Sequence, residues 1–123
     1  MKKILSLATA LLLVCLCTVG AVATQLRFQV LASTGADIWV EDGEIIFWAE
    51  AIPWEPAELS IYMEIEESIN GDYETIFTGR ESDFSDQLEL YWSTSYDPNR
   101  YFKMIVTYEA GPDNSKVTKY FHT

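Results

Sequence analysis

The sequence predicts an all-β fold, an antiparallel two-sheet sandwich of about seven short strands. Three observations carry that expectation. Apolar and polar residues alternate with period two in several runs, and no segment shows the spacing of an amphipathic helix. The runs are rich in Val, Ile, Thr, Tyr, Phe and Trp, which suit a half-buried pleated surface. Turn residues separate the runs at intervals of about 8–14 residues, as in sandwiches and barrels.

The expected strands run in order from ADIWVE (36–41), with Ile38 and Val40 on one side and Trp39 on the other. Asp42-Gly43 is a tight-turn signal leading into EIIFWAEAI (44–52). Pro53 and Pro56 make PWEP a loop, because proline cannot donate to a central ladder. ELSIYMEIEESI (58–69) sets Leu59, Ile61, Met63 and Ile65 against Ser60, Tyr62, Glu64 and Glu66. Asn70-Gly71 tolerates positive φ and predicts a hairpin into YETIFTG (73–79). ESDFSD (81–86) reads as a polar loop. QLELYWS (87–93) alternates Leu88, Leu90 and Trp92 against Gln87, Glu89 and Tyr91. After a turn at YDPN (96–99), RYFKMIVTYEA (100–110) alternates Phe102, Met104, Val106 and Tyr108 against Tyr101, Lys103, Ile105 and Thr107. GPDNS (111–115) reads as a turn and KVTKYFH (116–122) as the last strand.

The N-terminus reads as a secretory signal peptide over residues 1–23. It has a basic start at Lys2 and Lys3, an apolar run from Ile4, and small residues at Ala21 and Ala23. Cleavage is expected after Ala23, giving a secreted, extracellular protein. An uncleaved anchor is the alternative, since the apolar run is just long enough to span a bilayer, but the A-x-A ending and Ser6, Thr9 and Thr18 favour cleavage. A lipoprotein would need a small residue before Cys15 or Cys17, where Val14 and Leu16 stand. Both cysteines leave with the signal peptide, so no disulfide framework is expected. Residues 24–34 are expected as an arm or extra strand, and 35–123 as one domain.

Loss of Lys2 and Lys3 takes the formal net charge from −11 to −13. That charge repels nucleic acid and anionic membranes and excludes nucleic-acid binding. The acidity reads first as solvation outside the cell; the functional readings are calcium or a cationic partner.

Between residues 44 and 110, EIIFW, LSIYMEIEESINGDYETI and NRYFKMIVTYEA resemble a fibronectin type III or immunoglobulin-like domain. The chain is also similar to short exported proteins of Gram-positive bacteria that carry a signal peptide and one such sandwich. The resemblance implies a fold and little function. It departs at the family's corner tyrosine, where Phe102 has no hydroxyl. The corner hydrogen bond is then absent or made by Tyr101.

No catalytic constellation is evident. The single histidine, His122, stands next to the C-terminus, and no nucleophile elbow is present. Carboxylates are plentiful, but a small sandwich rarely builds the cleft a glycosidase needs. Zinc lacks ligands. Glu81, Asp83 and Asp86 in one loop, and Asp113 with Asn114 in another, are the candidates for calcium, although neither fits EF-hand spacing. No metal or other cofactor is expected.

The aromatic surface is the remaining lead. On strand 44–52 the odd set is Ile45, Phe47, Ala49 and Ala51, and the even set is Glu44, Ile46, Trp48, Glu50 and Ile52. Facing the even set inward desolvates Glu50 without an evident partner. Exposing Ile46 and Trp48 forgoes roughly 2–3 kcal/mol each. The two costs are comparable and do not force the choice, the resembled family commonly buries a tryptophan on this strand, and a β-bulge could switch faces midway; the odd set inward is the expectation. Trp39, Ile46, Trp48 and Tyr91 would then share an outer face, available to a partner or covered by the arm through Leu26, Phe28 and Val30. Tyr62, Tyr101 and Ile105, rimmed by Glu64 and Lys103, would form a smaller patch on the other sheet. Trp54 would plug one end of the sandwich or stand out as a ligand platform. These features point to an exported, non-enzymatic binding module whose partner is an extracellular protein or glycan. A self-associating structural subunit is the alternative, with a calcium-dependent module or a small hydrolase behind it.

Overall fold

The computed structural model describes residues 29–122. The expected signal peptide, residues 24–28 of the arm and Thr123 lie outside them. Seven strands follow in order: β1 (Leu31–Glu41), β2 (Glu44–Pro53), β3 (Ala57–Ile69), β4 (Asp72–Ser85), β5 (Leu88–Ser95), β6 (Tyr101–Ala110) and β7 (Asp113–His122). They form a three-stranded sheet in the order β1-β2-β5 and a four-stranded sheet in the order β4-β3-β6-β7. All five pairings are antiparallel. The protein is an all-β, two-sheet sandwich.

The inner faces follow the alternation. Ile45, Phe47, Ala49 and Ala51 of β2 meet Leu59, Ile61, Met63 and Ile65 of β3, with Phe102, Met104, Val106 and Tyr108 of β6. All are essentially sealed from solvent. The odd set of β2 therefore faces the core and the charged even set faces out. Phe47 packs edge-on against Phe102 at 5.2 Å between ring centroids. Trp92 of β5 stacks on Phe77 of β4 at 4.9 Å and 14°, joining the two sheets along one side.

Two hairpins use residues that the turn geometry demands. Asp42-Gly43 and Asn70-Gly71 all take positive φ, as a two-residue hairpin turn of this hand requires. A bulge lies where Ile65 pairs with Phe77 and Glu66 with Thr75, leaving Ile76 unmatched on β4.

Three segments differ from the sequence expectation. ESDFSD is not a loop: β4 continues through it, pairing Glu81 with Ile61, Asp83 with Leu59 and Ser85 with Ala57. As an edge strand with a largely exposed surface it carries no apolar alternation to read. β1 starts at Leu31, five residues before ADIWVE, so residues 31–34 of the expected arm are strand paired to β2. β7 starts at Asp113, and only Gly111 and Pro112 turn the chain between β6 and β7. On β7 the register places Lys119 opposite the core residue Met104, on the inward-facing side of an edge strand.

Three polar ties hold the ends. Buried Asp113 accepts backbone N–H bonds from Gln29, Val30 and Leu31 at 2.8, 2.7 and 2.8 Å. Burial pushes its carboxyl up, but the three donors together outweigh that and hold it below the usual carboxylate range. Arg100 grips both oxygens of Glu67 at 2.7 and 2.8 Å, and its remaining guanidinium nitrogen donates to Thr94 Oγ1 and the Ser95 carbonyl. β3 of one sheet is thereby bolted to the end of β5 of the other. The Tyr108 hydroxyl donates to the Gly35 carbonyl across the sandwich. Phe102 is fully buried with Arg100 over its ring, and Tyr101 faces out beside His122. The tyrosine tie is thus made at Tyr108, toward the other end of the strand from Phe102.

Candidate functional site

Successive side chains on a strand point to opposite faces. Burial of the odd set of β2 therefore turns Ile46, Trp48, Glu50 and Ile52 outward, where all four are half-buried. The register adds their neighbours. Trp39 lies opposite Ile46 and Asp37 opposite Trp48. Tyr91 lies opposite Trp48 on the other side, and Glu89 opposite Glu50. Four of the five candidate residues, Trp39, Ile46, Trp48 and Tyr91, thus come together on the outer face of the three-stranded sheet.

The two indoles lie low on the sheet. Trp48 rests over Gly35 of β1, where an added Cβ would stand 2.9 Å from its Cη2. Only a residue without a side chain leaves that notch, and the ring in turn covers an exposed stretch of edge backbone. Trp39 meets Trp48 edge-on at 6.4 Å. The indole N–H of Trp48 donates to Glu89 Oε2 and that of Trp39 to Glu41 Oε2, each at 3.2 Å. Exposing Trp48 therefore costs less than a bare ring in water would. Tyr91 stands clear of the sheet, 68% exposed.

The face is also acidic, which the reading of its aromatics alone missed. Every charged residue on β1, β2 and β5 is a carboxylate, namely Asp37, Glu41, Glu44, Glu50 and Glu89. They form two like-charged pairs directly across strands, Glu41 with Glu44 and Glu50 with Glu89. Such pairs oppose sheet formation by a few tenths to about 1 kcal/mol. The Gln87 side-chain amide donates to both Glu50 and Glu89 and so holds the second pair together without a cation. Lys103, Lys116, Lys119, Arg80 and His122 all stand on strands of the opposite sheet, and Arg100 precedes β6. The signal was present in the sequence as glutamates at the outward positions of three strands. Reading it required the β2–β5 register.

Trp54 is not part of this face. It follows the end of β2, 70% exposed, with its backbone N–H donating to the Val30 carbonyl at 2.9 Å. Together with Gln29, Val30, Glu55 and Pro56 it lines a shallow groove at one end of the sandwich. The described end of the arm packs into the protein: Leu31 is in the core and Val30 against it. Leu26 and Phe28 lie outside the described residues.

On the opposite sheet Tyr62, Glu64, Tyr101, Lys103 and Ile105 share an outer face, as the alternation predicts. Lys103 Nζ sits 3.2 Å from Glu66 Oε2 and over the Tyr73 ring, so its charge is already engaged. His122 lies against Tyr101 at 5.9 Å between rings. Of the calcium candidates, Glu81 and Asp83 lie along a paired strand instead of cradling a loop. Asp113 is committed to the backbone of residues 29–31. Among the described residues no three His, Cys, Asp or Glu side chains gather as a metal set.

No family model matches the chain, and no curated protein matches it. Among solved structures it is similar to CsgH of R. palustris, with a TM-score of 0.53 and 8% identity over 70% of this chain and 88% of that one. It also aligns with part of a β-glucuronidase of Parabacteroides merdae, with a TM-score of 0.49 and 8% identity over 77% of this chain and 13% of the enzyme. At such identities the likeness to CsgH concerns the fold alone.

Proposed function

We propose that this protein is an exported, non-enzymatic binding module of the immunoglobulin or fibronectin type III kind, acting at or outside the cell surface. The strand orders β1-β2-β5 and β4-β3-β6-β7 support the fold type. The observation that carries the functional reading is the face of Trp39, Ile46, Trp48 and Tyr91. These are large apolar side chains at the centre of a sheet with carboxylates around them, and an aromatic centre with a polar rim is how protein interfaces are built. The signal-like N-terminus supports export. The partner is an extracellular protein or glycan.

The test is tryptophan fluorescence of the secreted form, titrated with extracellular polysaccharides and surface-protein peptides. The expected result is a ligand whose binding is lost in Tyr91→Ala and kept in Trp54→Ala. Binding lost in Trp54→Ala and kept in Tyr91→Ala would move the site to the groove at the end of the sandwich. Concentration-dependent self-association abolished by Tyr91→Ala, with no ligand response, would favour a structural subunit.

A further inference from the structure

Resting on that reading of the face, we infer that its occupant is an extended, cationic polypeptide segment whose basic residues lie about six positions apart. The argument starts from charge. Three adjacent strands, β1, β2 and β5, carry five carboxylates and no Lys, Arg or His. The carboxylates are not scattered. One cross-strand pair, Glu41 and Glu44, closes one end of the aromatic row, and the other pair, Glu50 and Glu89, closes the other end.

The second observation is how these groups are held. Gln87 bridges Glu50 and Glu89 with its two amide hydrogens, and Trp48 donates to Glu89. Trp39 donates to Glu41. Neutral donors thus orient one oxygen of Glu41 and of Glu50 and both oxygens of Glu89, and bring no positive charge to either pair. An ammonium or guanidinium placed between two such glutamates removes their mutual repulsion and gains two charge-assisted contacts. Between the two pairs lie Trp39, Trp48, Ile46 and Tyr91, a surface for the aliphatic stems of lysine or arginine and for the apolar residues between them.

Spacing sets the register of the partner. Glu44 and Glu50 are six residues apart on one strand, about 20 Å at the rise of an extended chain. A segment lying extended along β2 reaches both pairs with cations at positions i and i+6. A neutral glycan would leave both acidic pairs uncompensated, and an acidic one would be repelled.

The probe is a synthetic heptapeptide, Lys-Thr-Val-Pro-Val-Thr-Lys, blocked at both ends, titrated into the secreted form of the chain and followed by tryptophan emission. Two controls accompany it: the same peptide with both lysines replaced by glutamine, and one with the two lysines adjacent. Saturable binding is expected for the spaced peptide, weakening as salt rises. It should weaken by about tenfold in the Glu50→Gln/Glu89→Gln double variant, whose urea midpoint is unchanged or raised. Equal binding of the glutamine peptide, lost in Tyr91→Ala but indifferent to the double variant, would overturn the cationic occupant while leaving the binding face in place. Binding that emerges only after deletion of residues 24–28, which include Arg27, would overturn it by making that segment the occupant. No binding in either form would also overturn it, and the ligand titration proposed above then decides the fate of the face.

Discussion

The hydroxyl of Tyr108 on β6 reaches through the sandwich to the carbonyl of Gly35 on β1, 73 residues earlier in the chain. Two features meet at Gly35: its carbonyl takes the tyrosine from inside, and its missing side chain seats Trp48 on the outside. Burial, with Glu50 adding to it, pushes the Tyr108 phenol up to about 12.

Tyr108→Phe is expected to lower stability by about 1 kcal/mol, the usual net contribution of one such bond, read as a shift of the urea midpoint with unchanged slope. The pH dependence follows from the raised phenol. In the unfolded chain a tyrosine phenol ionises at about 10. The stability the group contributes is therefore fully present below that pH and is lost as pH rises toward about 12. Between those values the wild type should lose stability more steeply than Tyr108→Phe. Parallel curves would show that the phenol is not protected.

Asp113→Asn is expected to cost about 2–3 kcal/mol at neutral pH, because one amide oxygen cannot replace a carboxylate that serves three backbone donors. The folded carboxyl is held low. Its contribution is thus present above the unfolded carboxylate pKa and lost as pH falls through the folded one. The gap between wild type and Asp113→Asn in denaturant midpoint should close in acid. Hydrogen exchange at Gln29, Val30 and Leu31 should accelerate in the variant before exchange elsewhere does.

Arg100→Lys retains a cation but not the planar fork that holds both oxygens of Glu67 while reaching Thr94 and Ser95. A loss of about 1–2 kcal/mol is expected, in thermal or urea unfolding. Hydrogen bonding to Arg100 is the largest cause of the lowered Glu67 carboxyl. In Arg100→Ala the Glu67 carboxyl resonance should therefore titrate closer to the ordinary range. An unmoved titration would mean that the fork does not persist in solution.

Gly35→Ala puts a methyl where the Trp48 ring lies. Destabilisation of about 1–3 kcal/mol is expected, typical of overpacking, together with a red shift in tryptophan emission as the ring lifts into water. The same variant should alter ligand binding at the face, whereas Trp54→Ala, at an exposed site, should leave stability within about 0.5 kcal/mol of wild type.

What was legible in the sequence was whatever one face of a strand had to bury. Leu59, Ile61, Met63 and Ile65 announce β3 because their alternation has only one core-facing solution. On β2 the cost of desolvating Glu50 was matched by that of exposing Ile46 and Trp48, so the sequence leaned to the odd set without forcing it, and the structure leaves Glu50 on the outer face. The extension of β4 through residues 81–85 was illegible because an edge strand with a solvated surface obeys no burial pattern. Asp113 read as a turn residue because its three partners lie more than eighty positions away. Four of the candidate site residues came together because parity and neighbouring strands place them on one face. Trp54 has the right parity but follows Pro53, where β2 has ended.

The polar edge that hid β4 from view has a consequence for copies of the molecule meeting one another. An open row of backbone donors and acceptors invites growth by strand addition. On β4 that row is flanked by Asp72, Glu74, Glu81 and Asp83 with Arg80 as the one cation, so a second β4 laid against it would bring mostly like charges together. On β7 a newcomer would have to close over the ammonium of Lys119. Both outer rims of the larger sheet are thus guarded by charge, and rim-to-rim growth of that sheet from one molecule to the next is opposed before any contact is made.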